Sequence, residues 1–131
     1  MLNDDMKNML AKQLPIQATT SKAGIPDIGP KRSLRVFDDN SLIYNETTGG
    51  QTLQNLIDGS KIAVAVIDRE ALDGYRFIGR AEIFDDGEVW EQAKAYAIEK
   101  GLKEPRCAVL IHIEAVFSLR AGASAGQKIS I

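Results

Sequence analysis

Tyr44-Asn45-Glu46-Thr47-Thr48-Gly49-Gly50-Gln51-Thr52 carries the chain from an alternating strand through two glycines into the first turn of an amphipathic helix. Glycines let backbone amides come close to an anion. Thr47, Thr48 and Thr52 add hydroxyl donors, and the helix opening at Thr52 contributes unpaired amides and the positive end of its dipole. The stretch reads as a phosphate seat at a strand-to-helix junction.

Upstream of it, Ser33-Leu34-Arg35-Val36-Phe37 runs into the turn cluster Asp38-Asp39-Asn40, and Ser41-Leu42-Ile43-Tyr44-Asn45 leads away, which is a hairpin pattern. Earlier still, Ile16 to Thr20 alternates as a strand and Ser21 to Gly24 turns. Ile25 to Pro30 then stays extended because Pro26 and Pro30 forbid helix, so a second pair of strands is predicted. A short helix capped by Asn3, with Met6, Met9 and Leu10 at helical spacing, precedes them and ends at Pro15.

Downstream, Leu53, Leu56 and Ile57 share a helical face, with Gly59 as the stop. Ile62 to Ile67 is an apolar, β-branched run that predicts a central strand covered on both faces. Tyr75 to Phe84 alternates as another strand. Glu88 to Lys100 is the longest helix, with Val89, Ala93, Tyr96 and Ala97 on one apolar face and Gly101 at its end. Cys107 to Leu119 is a closing strand, and the small-residue tail over 120–131 is expected to be loosely held or covered by a partner subunit. Strands at hairpin spacing, broken by irregularly placed helices, predict a mainly β chain: one domain over 1–131, an antiparallel sheet closed into a small barrel with helices outside.

The 131 residues suffice for a core without disulfide or metal. Sixteen Lys and Arg against 18 Asp and Glu leave a net charge of -2 and no basic stripe, which argues against nucleic acid or an acidic membrane as partner. The lone Cys107 sits in an apolar run, so no Cys/His set exists from which a metal site is built, and it reads as a small buried hydrophobe. A cytoplasmic protein without a membrane segment is expected. Neither GxGxxG nor GxxxxGK[ST] occurs, so dinucleotide and P-loop chemistry lack their signatures.

In order along the chain, Pro30-Lys31, Ser33 to Val36, Asp39 to Tyr44, Thr48 to Leu56, Lys61 to Asp68 and Gly74 to Glu82 together resemble the split barrels related to pyridoxamine 5′-phosphate oxidase, over nearly the whole chain. The resemblance implies a six-stranded antiparallel Greek-key barrel, usually a homodimer, with flavin mononucleotide (FMN) in grooves at the subunit interface. It places Lys31, Arg32, Ser33 and Arg35 along the isoalloxazine ring and ribityl chain, with Arg35 reaching toward the phosphate. Asn45, Glu46 and Thr47 would meet the pyrimidine side of the ring, and Thr48, Gly50, Gln51 and Thr52 would hold the phosphate. Many relatives carry Lys or Arg where Gln51 stands, and a neutral amide cannot match that charge-assisted bond. The anion would then lean on Arg35, Lys31 or Arg32, and the helix end. True pyridoxamine phosphate oxidases also carry a further C-terminal segment with arginine, histidine and tryptophan; Ala125 to Ile131 has nothing like it, so vitamin B6 oxidation is not implied.

Other chemistry-bearing side chains have structural readings. His112 points away from Ile111 and Ile113 and suits a structural or interface role; Trp90 packs the long helix; Asp85-Asp86 reads as turn and N-cap. Arg76 is an exposed strand charge or, if it faces the groove, a counter-charge near N1 of the reduced flavin. The sequence identifies no catalytic acid or base. The function expected is an FMN-binding oxidoreductase on a small substrate, the alternative a non-catalytic flavin-binding or electron-transfer module.

Overall fold

In the computed structural model, which describes residues 1–129, the chain forms three helices and seven strands among those residues. Helix α1 (Asp4–Lys12) starts where the side chain of Asn3 accepts from the Met6 N–H at 2.9 Å, and it buries Met6 and Leu10. Strands β1 (Ile16–Thr20) and β2 (Pro26–Pro30) pair antiparallel, as do β3 (Arg35–Asp38) and β4 (Ser41–Glu46), so both expected hairpins form. Helix α2 (Gln51–Ile57), β5 (Ile62–Asp68), β6 (Asp73–Phe84), α3 (Gly87–Lys100) and β7 (Cys107–Ser118) complete the order.

The strands make one antiparallel sheet in the order β2-β1-β5-β6-β7-β4-β3. The closed barrel of six strands is thereby corrected to a seven-stranded sheet whose edges, β2 and β3, do not pair with each other. The edges explain this. Pro26 and Pro30 bring no N–H to β2, and β3 has four residues and a register shift between Val36 and Asp38. Helix α1 packs instead against β3 and β5, and its Met6 and Leu10 join the core inside the curved sheet, with Tyr44, Val64, Phe77, Val109 and Val116.

Strand β5 also departs from expectation. Ile62, Val64 and Val66 are buried, but Ile67 is 51% exposed, so the apolar run serves one covered face of an antiparallel sheet. On the outer side α3 covers Ile43, Ala108 and Leu110 with Ala93, Val89 and Trp90, which is the packing role expected for the tryptophan. Gly101 ends α3 in the left-handed region at φ 66°. The tail folds back along β7: Gly126 donates to the Ser118 carbonyl at 2.7 Å, and Ile129 to that of Val116 at 2.8 Å. Ser130 and Ile131, the end of the tail expected to be loosely held or covered, lie outside the described residues. Among the described residues no helix is long and apolar enough to cross a membrane.

Two outcomes follow from this geometry. At Gly79, beside the register shift between Ile78 and Gly79, an added Cβ would run into the backbone carbonyl of His112, which cannot yield as a side-chain tip does. Gly79→Ala is expected to lower stability by about 1–3 kcal/mol in urea denaturation, as overpacking does. In the β3–β4 turn, the Asp38 carboxylate accepts from the Ser41 hydroxyl at 2.6 Å and the Asn40 N–H at 2.9 Å, and these bonds, the hydroxyl first, hold its pKa below the ordinary carboxylate value. A depressed folded-state pKa means that the turn's contribution is present above the unfolded value of about 3.9 and is lost as pH falls through the folded one. Carbon-detected NMR titration is expected to show Asp38 returning toward the ordinary value in Ser41→Ala.

Candidate functional site

A two-lobed cleft opens where β2 runs into the segment before β3 and meets the loop between β4 and α2. Its outer lobe, about 440 Å³, is lined by Pro30 to Ser33, Asn45, Thr47, Thr48, Leu102 and Lys103. The inner lobe, about 290 Å³, is lined by Gln17, Asp27 to Lys31, Glu46, Thr48 and Gly50 to Thr52; Pro30, Lys31 and Thr48 border both. Ten of the eleven residues that the sequence points to, all but Arg35, are therefore gathered in one place.

Strand β4 positions the centre. Alternation along it turns Leu42, Tyr44 and Glu46 into the sheet's interior, and Ile43 and Asn45 toward α3. All six of its residues are buried. Asn45 therefore spends its side chain on structure: Nδ2 donates to the Ala93 carbonyl of α3 at 2.9 Å, and its backbone N–H donates to Ser33 Oγ at 3.0 Å. What Asn45 offers the outer lobe is its backbone flank. The polar groups free to face that lobe are the cations Lys31, Arg32 and Lys103 and the exposed Thr47.

Arg35 lies elsewhere. Its guanidinium sits 3.5 Å from the centroid of the Tyr96 ring on α3, donates to the Ser33 carbonyl at 2.7 Å and approaches Asn45 Oδ1 at 3.4 Å. Burial pulls its pKa down from the usual arginine value. It clamps the strand ahead of β3 to α3 and does not border either lobe.

In the inner lobe, the donors of the glycine loop face acceptors of the chain itself. Glu46, 2% exposed, accepts through Oε2 from the Gly49 N–H at 3.0 Å and from the Thr48 hydroxyl at 3.1 Å. The Thr52 hydroxyl donates to Asp27 Oδ2 at 2.7 Å, and the Gln51 amide to Asn55 Oδ1 at 2.7 Å. Lys31 Nζ lies 5.0 Å from the centroid of the Tyr44 ring. The buried Gln17 amide and Tyr44 hydroxyl have only each other, without a well-formed hydrogen bond between them, and burial, with the Glu46 charge behind it, pushes the Tyr44 pKa well up. Arg106 secures the loop from outside, its backbone N–H on the Glu46 carbonyl at 2.7 Å and Nε on the Thr47 carbonyl at 3.1 Å. Gly49, at φ +68°, has the Arg106 side chain where a Cβ would go.

Sequence reasoning missed Gln17, Asp27, Leu102, Lys103 and Arg106. Each comes from an element distant in sequence from the glycine loop, and no local pattern marks them. The side chains given structural readings stand outside the cleft. His112 Nε2 meets Glu82 Oε1 at 2.8 Å across β6 and β7, and Arg76 packs over the Phe117 ring, 4.6 Å from its centroid. Cys107 is buried, which raises its thiol pKa. Among the described residues no group of three or more His, Cys, Asp or Glu gathers as a metal site would require.

The family model described as pyridoxamine 5′-phosphate oxidase matches residues 2–120. HupZ of Group A Streptococcus is 46% identical, covering 96% of this chain and 100% of its own, with a TM-score of 0.88. A Lactobacillus delbrueckii protein, described provisionally as a pyridoxamine 5′-phosphate oxidase, is 31% identical over 88% of this chain and 93% of its own, with a TM-score of 0.77. An FMN-binding protein of Syntrophomonas wolfei shares the fold, with a TM-score of 0.76, at 14% identity over 90% of this chain and 86% of its own.

Because Arg35 satisfies a carbonyl and stacks on Tyr96, Arg35→Ala is expected to cost about 1–3 kcal/mol of stability, the range for bonds to charged groups. Paired thermal melts and flavin titrations check this. The melt is expected to shift, and flavin affinity to stay within about twofold once the protein is folded.

Proposed function

The chain belongs to the pyridoxamine 5′-phosphate oxidase family, and on that premise we propose that it is a flavin-binding oxidoreductase whose cleft takes FMN and serves a small-molecule substrate. The observation that carries the proposal is the convergence of Lys31, Arg32, Ser33, Asn45 and Thr47 around the outer lobe, residues that the family resemblance assigns to the ring and ribityl chain. The donor set suits that end of the molecule. Lys31, Arg32 and Lys103 offer cations to the ring's carbonyl oxygens and to the negative charge of its reduced form, and Leu102 offers an apolar surface.

When bound, the flavin supplies the hydride and single-electron chemistry. The chain's own part is to hold the ring and set its electrostatics. The carbonyl flank of β4 is rigid because Asn45 is bonded to α3, and Arg106 keeps the neighbouring loop in place.

A second copy of the chain fits the same reading. Ile28, 73% exposed, borders the inner lobe from the edge strand β2, and Leu102, 50% exposed, borders the outer one. Covering both in a homodimer would enclose a ring that one copy leaves open. The single thiol, buried, suits a reducing, cytoplasmic setting.

Titrating the purified protein with flavin, followed by fluorescence quenching and the shift of the visible bands, is expected to give saturable binding with one flavin per chain. Reduced nicotinamide added to the loaded protein is expected to bleach the bands. Absence of any flavin uptake contradicts the reading; uptake without reduction by any small donor replaces the enzyme with a flavin-carrying or electron-transfer module.

A further inference from the structure

The inner lobe does not suit a phosphate. The Thr48 and Thr52 hydroxyls, the Gly49 N–H and the Gln51 side-chain amide, in the loop and first turn of α2 where a phosphate would be held, are committed to internal acceptors, and Glu46 and Asp27 among those acceptors are carboxylates. Glu46 is buried, so no water layer screens it from a group entering the lobe. Helix α2 has seven residues and no side-chain cap, too short a coil to offset two negative charges by its dipole. Of the cations that the sequence points toward the phosphate, Arg35 is stacked on Tyr96 and Arg32 borders only the outer lobe; Lys31, which borders both, is a single charge against the two carboxylates.

We propose that Glu46 is an internal anion occupying the seat that the glycine loop would give to a phosphate, with Asp27 as a second negative charge in the same lobe. The cleft therefore grips a flavin by its ring and polyol chain, and the terminal phosphate adds no affinity. The inference rests on the flavin reading above and specifies which end of the molecule the site recognises. Hydroxyl groups match the lobe as phosphate does not: the carboxylates of Asp27 and Glu46 are acceptors, and a polyol brings donors.

The test compares FMN with riboflavin by fluorescence titration at constant ionic strength. Wild-type protein is expected to bind the two with dissociation constants within about threefold of each other. Glu46→Gln keeps the shape and an acceptor for Gly49 but removes the charge; it is expected to shift the FMN-to-riboflavin affinity ratio about tenfold in favour of FMN. Asp27→Asn, at a half-buried position of edge strand β2, is expected to move FMN in the same direction and stands in if the buried variant folds poorly. Inorganic phosphate provides a readout that needs no flavin. In wild-type protein the amide resonances of Gly49, Gly50 and Gln51 are expected to show no saturable shift, and in Glu46→Gln they are expected to shift. FMN binding more than tenfold tighter than riboflavin in the wild type, saturable phosphate shifts in the wild type, or variants that leave the FMN-to-riboflavin ratio unmoved each overturn the proposal. If neither flavin binds, the flavin reading fails, while the phosphate titration still decides the role of Glu46.

Discussion

Strand β4 is buried from Ser41 to Glu46, and the need to satisfy the polar groups at its exit shapes everything around it. A strand enclosed on both faces is easy to understand at Leu42, Ile43 and Tyr44, which are apolar or largely so. At Asn45 and Glu46 it carries an obligation. The amide of Asn45 is met by the Ala93 carbonyl, which fixes how α3 lies on the outer face. The carboxylate of Glu46 is met by the Gly49 N–H and the Thr48 hydroxyl, which folds the glycine loop back over the strand's end. One helix and one loop are thus placed by two consecutive side chains facing opposite sides.

The consequence reaches the cleft. Because Glu46 takes up the Gly49 and Thr48 donors, the part of the cleft next to α2 carries two carboxylates against the one cation Lys31, while the outer part carries Lys31, Arg32 and Lys103. The site is polarised along its length. A ligand with electronegative ring carbonyls at one end and hydroxyl donors along the other matches that gradient, and a ligand ending in a dianion does not. In the proposed reading a flavin would bring the ring chemistry, and the local charge pattern of this chain would determine how it is held.

Much of this was legible in the sequence, because the deciding signals are local. Asn3, Gly101, the two hairpin turns and the apolar face of α3 all act within a few residues of themselves, and the structure shows each. The failures are tertiary. An apolar run such as Ile62 to Ile67 does not reveal whether its second face is covered, and Ile67 turns out to be exposed. Nor does a sequence show whether a barrel closes, when prolines in one edge strand and a bulge in the other prevent their meeting. At the site, the sequence points to residues that the fold gathers, but not to the bonds they make within the chain. Arg35 alternates out of the cleft toward Tyr96, and the threonines chosen as phosphate donors give their protons to carboxylates from β2 and β4. Asp27 and Glu46 lie 19 residues apart, and nothing in the spacing shows that they share a cavity.

A crystal structure of the protein grown with FMN tests the central claim most directly. The account predicts the isoalloxazine ring in the outer lobe, against Lys31 to Ser33 and Thr47, with the Glu46 carboxylate still bonded to the Gly49 N–H and the phosphate turned to solvent. A phosphate oxygen seated on the Gly49 amide, with Glu46 displaced from it, would contradict the account.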